Sequence, residues 1–311
     1  MKKLIVLLLA FALVGAVSAQ VVTTAVSLSG EVTLIDQNAK SVFTDYGTGY
    51  DVLTIKASDK DGKYGFAISD GNVIADLGGT VRDWNVWYKG AAGKVVLGNL
   101  RNSDFRMTLP AWGYAQFGGF DRITGYGVLY ETPTVKNLTF GVNFPVPTTA
   151  TNTVDVLKKA DLAAKYSDKN FTWMVLANLD MVTPKNVVFG GASFTGYKDL
   201  TLTGLFKGAF DDNNYGFAGG VQYTGIDKFT FNVEGSYQTS GSIYDVWGQV
   251  AYAVTDLISA KVGYVTGNGT VSNDFYGAVG YDLGNGLSAE ASVGYDTAVH
   301  AAAKLYYGVS F

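Results

Sequence analysis

Apolar and polar residues alternate along most of this chain in short runs. The last run shows it best: Ala301, Ala303, Leu305, Tyr307, Val309 and Phe311 share one side, and His300, Ala302, Lys304, Tyr306, Gly308 and Ser310 the other. The run before it sets Leu287, Ala289, Ala291, Val293 and Tyr295 against Ser288, Glu290, Ser292, Gly294 and Asp296. Phe229 to Gln238 and Val22 to Leu34 repeat the pattern. Successive side chains of a strand point to opposite faces, so this period predicts half-buried strands. Turn-forming clusters such as Asp168-Lys169-Asn170 and Gly225-Ile226-Asp227-Lys228 separate the runs. Counting runs between connections gives seventeen connections and eighteen strands, a figure that boundary errors merging a hairpin widen to 16–18, with longer connections alternating with shorter ones over much of the chain.

Two features bear on what these strands build. Runs of about ten residues match a tilted membrane-crossing strand, whereas strands of soluble proteins average about half that. Aromatic residues also sit at run ends. Tyr166 and Phe171 flank one connection, Tyr223 and Phe229 a second, Tyr237 and Tyr244 a third, as two interfacial girdles require. A closed barrel satisfies every backbone N–H and C=O without water, which an open sheet in lipid does not. The expected fold is all-β, a transmembrane antiparallel β-barrel of 16–18 strands. A soluble secreted β protein is the reading that alternation alone leaves open.

The start of the chain agrees with export. Met1-Lys2-Lys3, the apolar run Leu4 to Val14 and Val17-Ser18-Ala19 have the three parts of a secretory signal peptide, so residues 1–19 are expected to be cleaved and 20–311 to form one domain. Removing 19 of 311 residues takes away Lys2 and Lys3 and moves the formal charge from −4 to −6. A mildly acidic chain without a basic run is not expected to bind nucleic acid. It contains no cysteine, so neither a disulfide framework nor a thiolate metal site is available. No cofactor and no metal are expected. His300 is the single histidine and has no nucleophile or partnered base beside it in the sequence, so catalysis is not expected. Asp59-Lys60-Asp61-Gly62 and Asp211-Asp212-Asn213-Asn214 suit turns better than calcium loops.

All four arginines, Arg82, Arg101, Arg106 and Arg122, fall in one stretch. Arginine is favoured where a cation is held in fixed geometry. The stretch contains two expected strands around Gly90-Ala91-Ala92-Gly93 and then a segment, 102–120, rich in aromatic residues and lacking strict alternation. That composition argues against disorder and predicts a loop that packs against something. The hairpin ending in Gly98-Asn99, the loop with Pro110 and Phe117-Gly118-Gly119-Phe120-Asp121, and Tyr130-Glu131-Thr132-Pro133 with Phe140 to Phe144 resemble the general porins of Gram-negative outer membranes. The family often has arginine directly after the glycine, where this chain has Asn99 and places Arg101 two residues on, on the same strand face.

The resemblance implies a bacterial outer-membrane porin whose long loop folds into the barrel as a constriction, with wall arginines facing loop carboxylates. The candidates are Arg82, Arg101, Arg106 and Arg122 against Asp104 and Asp121. It also implies a homotrimer. Phe311, with Tyr307 and Val309 on its face, resembles the terminal strand recognised by the barrel-assembly machinery. If polar faces point inward, Glu31, Lys207, Glu234, Asp245, Lys261, Glu290 and Lys304 line the lumen. That set predicts a watery interior without a packed apolar core, passing ions and small hydrophilic solutes, with outer-membrane lipid outside. Two other functions stay open: a substrate-selective channel of sugar type, with Trp87, Trp112, Tyr114 and Phe117 as its slide, and a non-conducting adhesin or envelope anchor.

Overall fold

The computed structural model describes residues 22–36, 41–44, 52–71, 81–100, 104–110, 123, 125–146, 158–180, 186–268 and 273–310. Its first strands are β1 (Val22–Asp36), β2 (Ser41–Thr44), β3 (Val52–Asp59), β4 (Tyr64–Gly71), β5 (Val81–Gly90), β6 (Gly93–Asn99) and β7 (Tyr126–Glu131). There follow β8 (Leu138–Pro145), β9 (Lys159–Ser167), β10 (Phe171–Asp180), β11 (Val187–Tyr197), β12 (Leu200–Ala209) and β13 (Asn214–Tyr223). The last are β14 (Phe229–Gln238), β15 (Ile243–Ala253), β16 (Ile258–Gly267), β17 (Asp274–Gly284), β18 (Leu287–Tyr295) and β19 (Val299–Ser310). Among the described residues no helix is long and apolar enough to cross a membrane.

From β3 to β19 each strand pairs antiparallel with its neighbours in sequence. β19 then pairs with β1, from Ser27↔Ser310 to Asp36↔Ala302, which closes the sheet on itself. β2 and β3 share one place in the wall. β2 lies along residues 33–36 of β1 and β3 along residues 22–29. The barrel wall therefore has eighteen strands, the second of them broken in two. The strand count falls inside the expected range; the break was not expected.

Both described chain ends lie at the end of the barrel that carries the tight turns. In one of them Gly284, Asn285 and Gly286 all take positive φ (81°, 54° and 78°), and a Cβ on Gly286 would meet the Gly308 carbonyl oxygen. In another, the Asp168 carboxylate accepts the backbone N–H of Asn170 and of Phe171, each at 2.8 Å, and the Tyr166 hydroxyl at 2.7 Å. Those bonds, the one from Asn170 first, hold the Asp168 carboxyl below its ordinary range. Asp296, in a loop at the opposite end, is lowered in the same way by the N–H groups of Thr297 and Ala298.

The outward faces carry three bands. Val86, Val128, Val175, Val233, Val262 and Val279 are exposed midway along their strands. Aromatic residues bracket them, with Tyr88, Tyr130, Tyr252 and Tyr281 toward the tight turns and Trp84, Tyr237, Tyr264 and Tyr295 toward the loops. Rings meet across strands, Phe229 with Tyr252 of the adjacent strand at 4.6 Å, and Trp84 of β5 with Tyr126 of β7, across β6, at 6.1 Å between centroids. On β14, the eight-residue spacing from Phe229 to Tyr237 corresponds to roughly 20 Å of height for a strand tilted by about 40°. That is comparable with the apolar band of ~25 Å on barrels in lipid.

The inward faces divide into two halves, and here one expectation is corrected. Val96, Leu129, Ala163, Met174, Leu176, Phe189, Leu205 and Ala218, on strands between β6 and β13, close around Leu100, Phe105, Met107, Leu109 and Ile123 as a buried apolar cluster. The barrel does hold a packed core, off-centre. Its cause is the segment after β6, which enters the lumen with an apolar residue at every second position and replaces water against that wall. Each fully buried side chain of this kind contributes roughly 1.5–3 kcal/mol. The opposite half, from β14 to β19, keeps polar inward faces.

Candidate functional site

The segment 104–110 crosses the barrel interior. Phe105, Met107 and Leu109 are buried toward the wall; Asp104 and Arg106, at the alternate positions, are exposed. Its near end is held by charge. Lys94 of β6 contacts the Asp104 carboxylate at 3.1 Å and the Glu131 carboxylate of β7 at 3.3 Å. Lys165 of β9 donates to the Asp104 backbone carbonyl at 2.7 Å, and the Ile123 N–H donates to the Phe105 carbonyl at 3.3 Å. Burial works to raise the Asp104 carboxyl, but the adjoining Lys94 ammonium outweighs it, with help from Lys165, and holds the group below its ordinary range.

Beside the segment, open space follows the polar half of the wall. A cavity of about 710 Å³ is bounded by Pro110 on the segment and by Gln249, Lys261, Tyr276, Glu290, His300 and Lys304 on strands β15 to β19. A second cavity, of about 760 Å³, opens at the tight-turn end between the turns from Ala253 to Ser288. Lys261 and Glu290 line both, so the two spaces share that part of the wall and follow one another along it as a passage. On the other side of the segment a smaller space, about 440 Å³, is lined by Lys56, Asn85, Lys89, Lys94 and Asp104.

The passage is lined by groups fixed to one another. Lys261 pairs with Glu290 at 2.6 Å, and Glu290 stands opposite Lys304 in the β18–β19 register. His300 lies 3.6 Å from Asp274. The Trp247 indole N–H donates to the Tyr276 hydroxyl at 2.8 Å, which donates to Gln249 Oε1 at 3.1 Å. Side chains tied in this way offer water and solutes a rigid polar surface of both signs of charge, in a low-dielectric frame where a field is strong.

Asp104 and Arg106 lie on the segment inside the barrel, with Asp104 bound to Lys94. Arg101, Asp121, Arg122 and Phe311 lie outside the described residues, as do the side chains of Glu31, Arg82 and Val309. Lys261, Glu290 and Lys304 border the passage. Glu234 and Asp245 are buried on inward faces, and the Lys207 ammonium sits 5.4 Å over the Phe189 ring. Trp87 packs against the apolar cluster; Trp112, Tyr114 and Phe117 are outside the described residues. Lys94, Lys165, Trp247, Asp274 and His300 had not been picked out for this role. For Lys94 a signal existed, since it shares strand parity with Val96, which faces inward.

No family model matches the chain, and no curated protein sequence matches it. Solved structures do. One is a mutant of the porin of Rhodopseudomonas blastica, at 12% identity and a TM-score of 0.56, covering 94% of this chain and all of the other. The chain has the porin fold. OccAB3 of Acinetobacter baumannii matches at 11% identity and a TM-score of 0.55 over 93% of this chain and 99% of its own. An engineered protein studied for asymmetric conductivity matches at 12% and 0.55 over 94% and 100%. At such identities the porin fold is what is shared, with the barrel spanned end to end in each case.

Proposed function

We propose that this porin-fold barrel is a water-filled channel of the bacterial outer membrane, through which ions and small hydrophilic solutes diffuse passively. The observation that carries this reading is the polar passage along β15–β19, left open beside a segment that fills the rest of the lumen. The outward bands suit lipid contact. In this reading residues 1–19 are a signal peptide removed on export, 20–311 form the single barrel domain, the terminal strand ending at Phe311 is recognised by the barrel-assembly machinery, and the working unit is a homotrimer. The constriction is formed by Arg106 and Asp104 on the segment, joined by Arg82, Arg101, Asp121 and Arg122. The chain performs no catalysis and takes no cofactor.

A substrate-selective channel is the second reading. It is favoured by the apolar filling of half the lumen, which leaves a narrow passage walled by the fixed Trp247–Tyr276–Gln249 line. Planar-bilayer recording of the mature chain beside a variant with Arg101→Ala and Arg106→Ala tests both. Stepwise conductance whose anion preference falls in the variant supports the constriction. Conductance indifferent to the variant keeps the channel and removes these arginines from its filter. Saturation of ion current by one sugar at low concentration would select the second reading. Absence of conductance from a folded barrel would leave an adhesin or anchor.

A further inference from the structure

Among the wall residues that the inward segment covers are three glycines. Phe105 lies on Gly141 of β8, Met107 on Gly191 of β11 and Pro110 on Gly220 of β13. A Cβ on Gly141 would lie 2.6 Å from the Phe105 Cζ, one on Gly191 2.5 Å from the Met107 Sδ, and one on Gly220 2.8 Å from the Pro110 Cδ. None of the three glycines takes the positive φ that would call for glycine on backbone grounds. In a strand interior glycine otherwise weakens pairing, and it is expected where something approaches closely. Outward-facing Gly204 of β12 has nothing within 4 Å of its Cβ position, and Gly208 on the same face is approached by Phe206 of its own strand, so contact with the segment is what sets the three apart.

We propose that Gly141, Gly191 and Gly220 are positioning residues, three sockets that seat Phe105, Met107 and Pro110 and so set the width of the passage. The passage lies between Pro110 and strands β14–β19. A side chain at Gly220 displaces the proline ring, which cannot swing clear of its own backbone, toward the open side and narrows the way through. A side chain at Gly141 meets an aromatic ring that is fully enclosed. Gly191 is the most forgiving, because the methionine chain bends. The proposal rests on the channel reading only for its electrical readout.

Gly141→Ala and Gly220→Ala test it, with Gly204→Ala as the control and heat-dependent gel mobility as the check on folding. The chain has no cysteine, so Leu109→Cys, at a buried position on the segment, reports docking by its reaction with a small water-soluble thiol reagent. Each socket variant should label Cys at that position roughly ten-fold faster and should change single-channel conductance by about two-fold, downward for Gly220→Ala. Gly204→Ala should alter neither, and adding Phe105→Leu to Gly141→Ala should restore the parent values. Parent-like labelling and conductance in both socket variants would overturn the proposal. Faster labelling in a barrel whose parent does not conduct would keep the sockets and remove the channel. Where Gly220→Ala fails to fold, Gly191→Ala replaces it with the same expected direction and a smaller size.

Discussion

At the scale of single residues, Lys94 ties the inward segment to the wall, and it does so with a partner whose charge depends on acidity. The Asp104 carboxyl is held below its ordinary range by Lys94, so the ion pair stabilises docking fully above the ordinary aspartate value and is lost as pH falls through the lower, docked value. Docking, read as the labelling rate of Leu109→Cys, should loosen as pH falls below about 4, where Asp104 takes up its proton. Asp104→Asn should give the faster rate at every pH and abolish the acid limb. An acid limb that survives in Asp104→Asn would assign it to another group. With the Asp104 side chain 67% exposed, salt should weaken the contact. The sequence alone drew attention to arginines because they cluster. Lys165 reaches Asp104 from 61 residues away, and only strand register brings such lysines together.

At the scale of elements, alternation marks nearly every strand. Ala291 and Ser292 are neighbours midway along β18; Ser292 borders the polar passage, while Ala291 is exposed on the outward face. Ala291→Arg should destabilise the barrel by about 2–4 kcal/mol in lipid, as arginine does near the bilayer midplane. Ser292→Arg should leave stability nearly unchanged and alter ion preference. Urea unfolding in liposomes and reversal potentials separate the two, and equal destabilisation would mean that the faces are misassigned. Alternation misled where both faces are apolar. The continuous run Trp173-Met174-Val175-Leu176 of β10 puts Met174 and Leu176 against the segment's side chains. That run, together with Phe105, Met107 and Leu109 in the loop, was the available sign of an interior core. The break between β2 and β3 had no such sign, since Ser41-Val42-Phe43-Thr44 is too short to show a period and only the shared pairing with β1 makes the two pieces one wall position.

At the scale of the whole molecule, closure follows from parity. With eighteen wall strands, all neighbours antiparallel, β1 and β19 run in opposite directions and start and finish at the same end, so they pair as any hairpin does. An odd count would have left a parallel seam, with slanted and slightly weaker bonds. The register sets Ser27 opposite Ser310, and the Cα separation of such a pair, about 4.5–5.5 Å, lies within the range a disulfide spans. In this cysteine-free chain the double variant Ser27→Cys with Ser310→Cys should therefore oxidise to a ring containing nearly the whole barrel, which runs faster than the reduced chain on a boiled, non-reducing gel. Moving one partner two residues, to Gly308→Cys, keeps the face but lengthens the diagonal to about 7–8 Å, and cross-linking should fall sharply. Equal cross-linking of the two pairs would mean that β1 slides against β19; failure of the first pair in a folded barrel would mean that the wall closes in another register. Either result would also move the lumen, because a slip of one residue turns every inward side chain of β1 to the lipid.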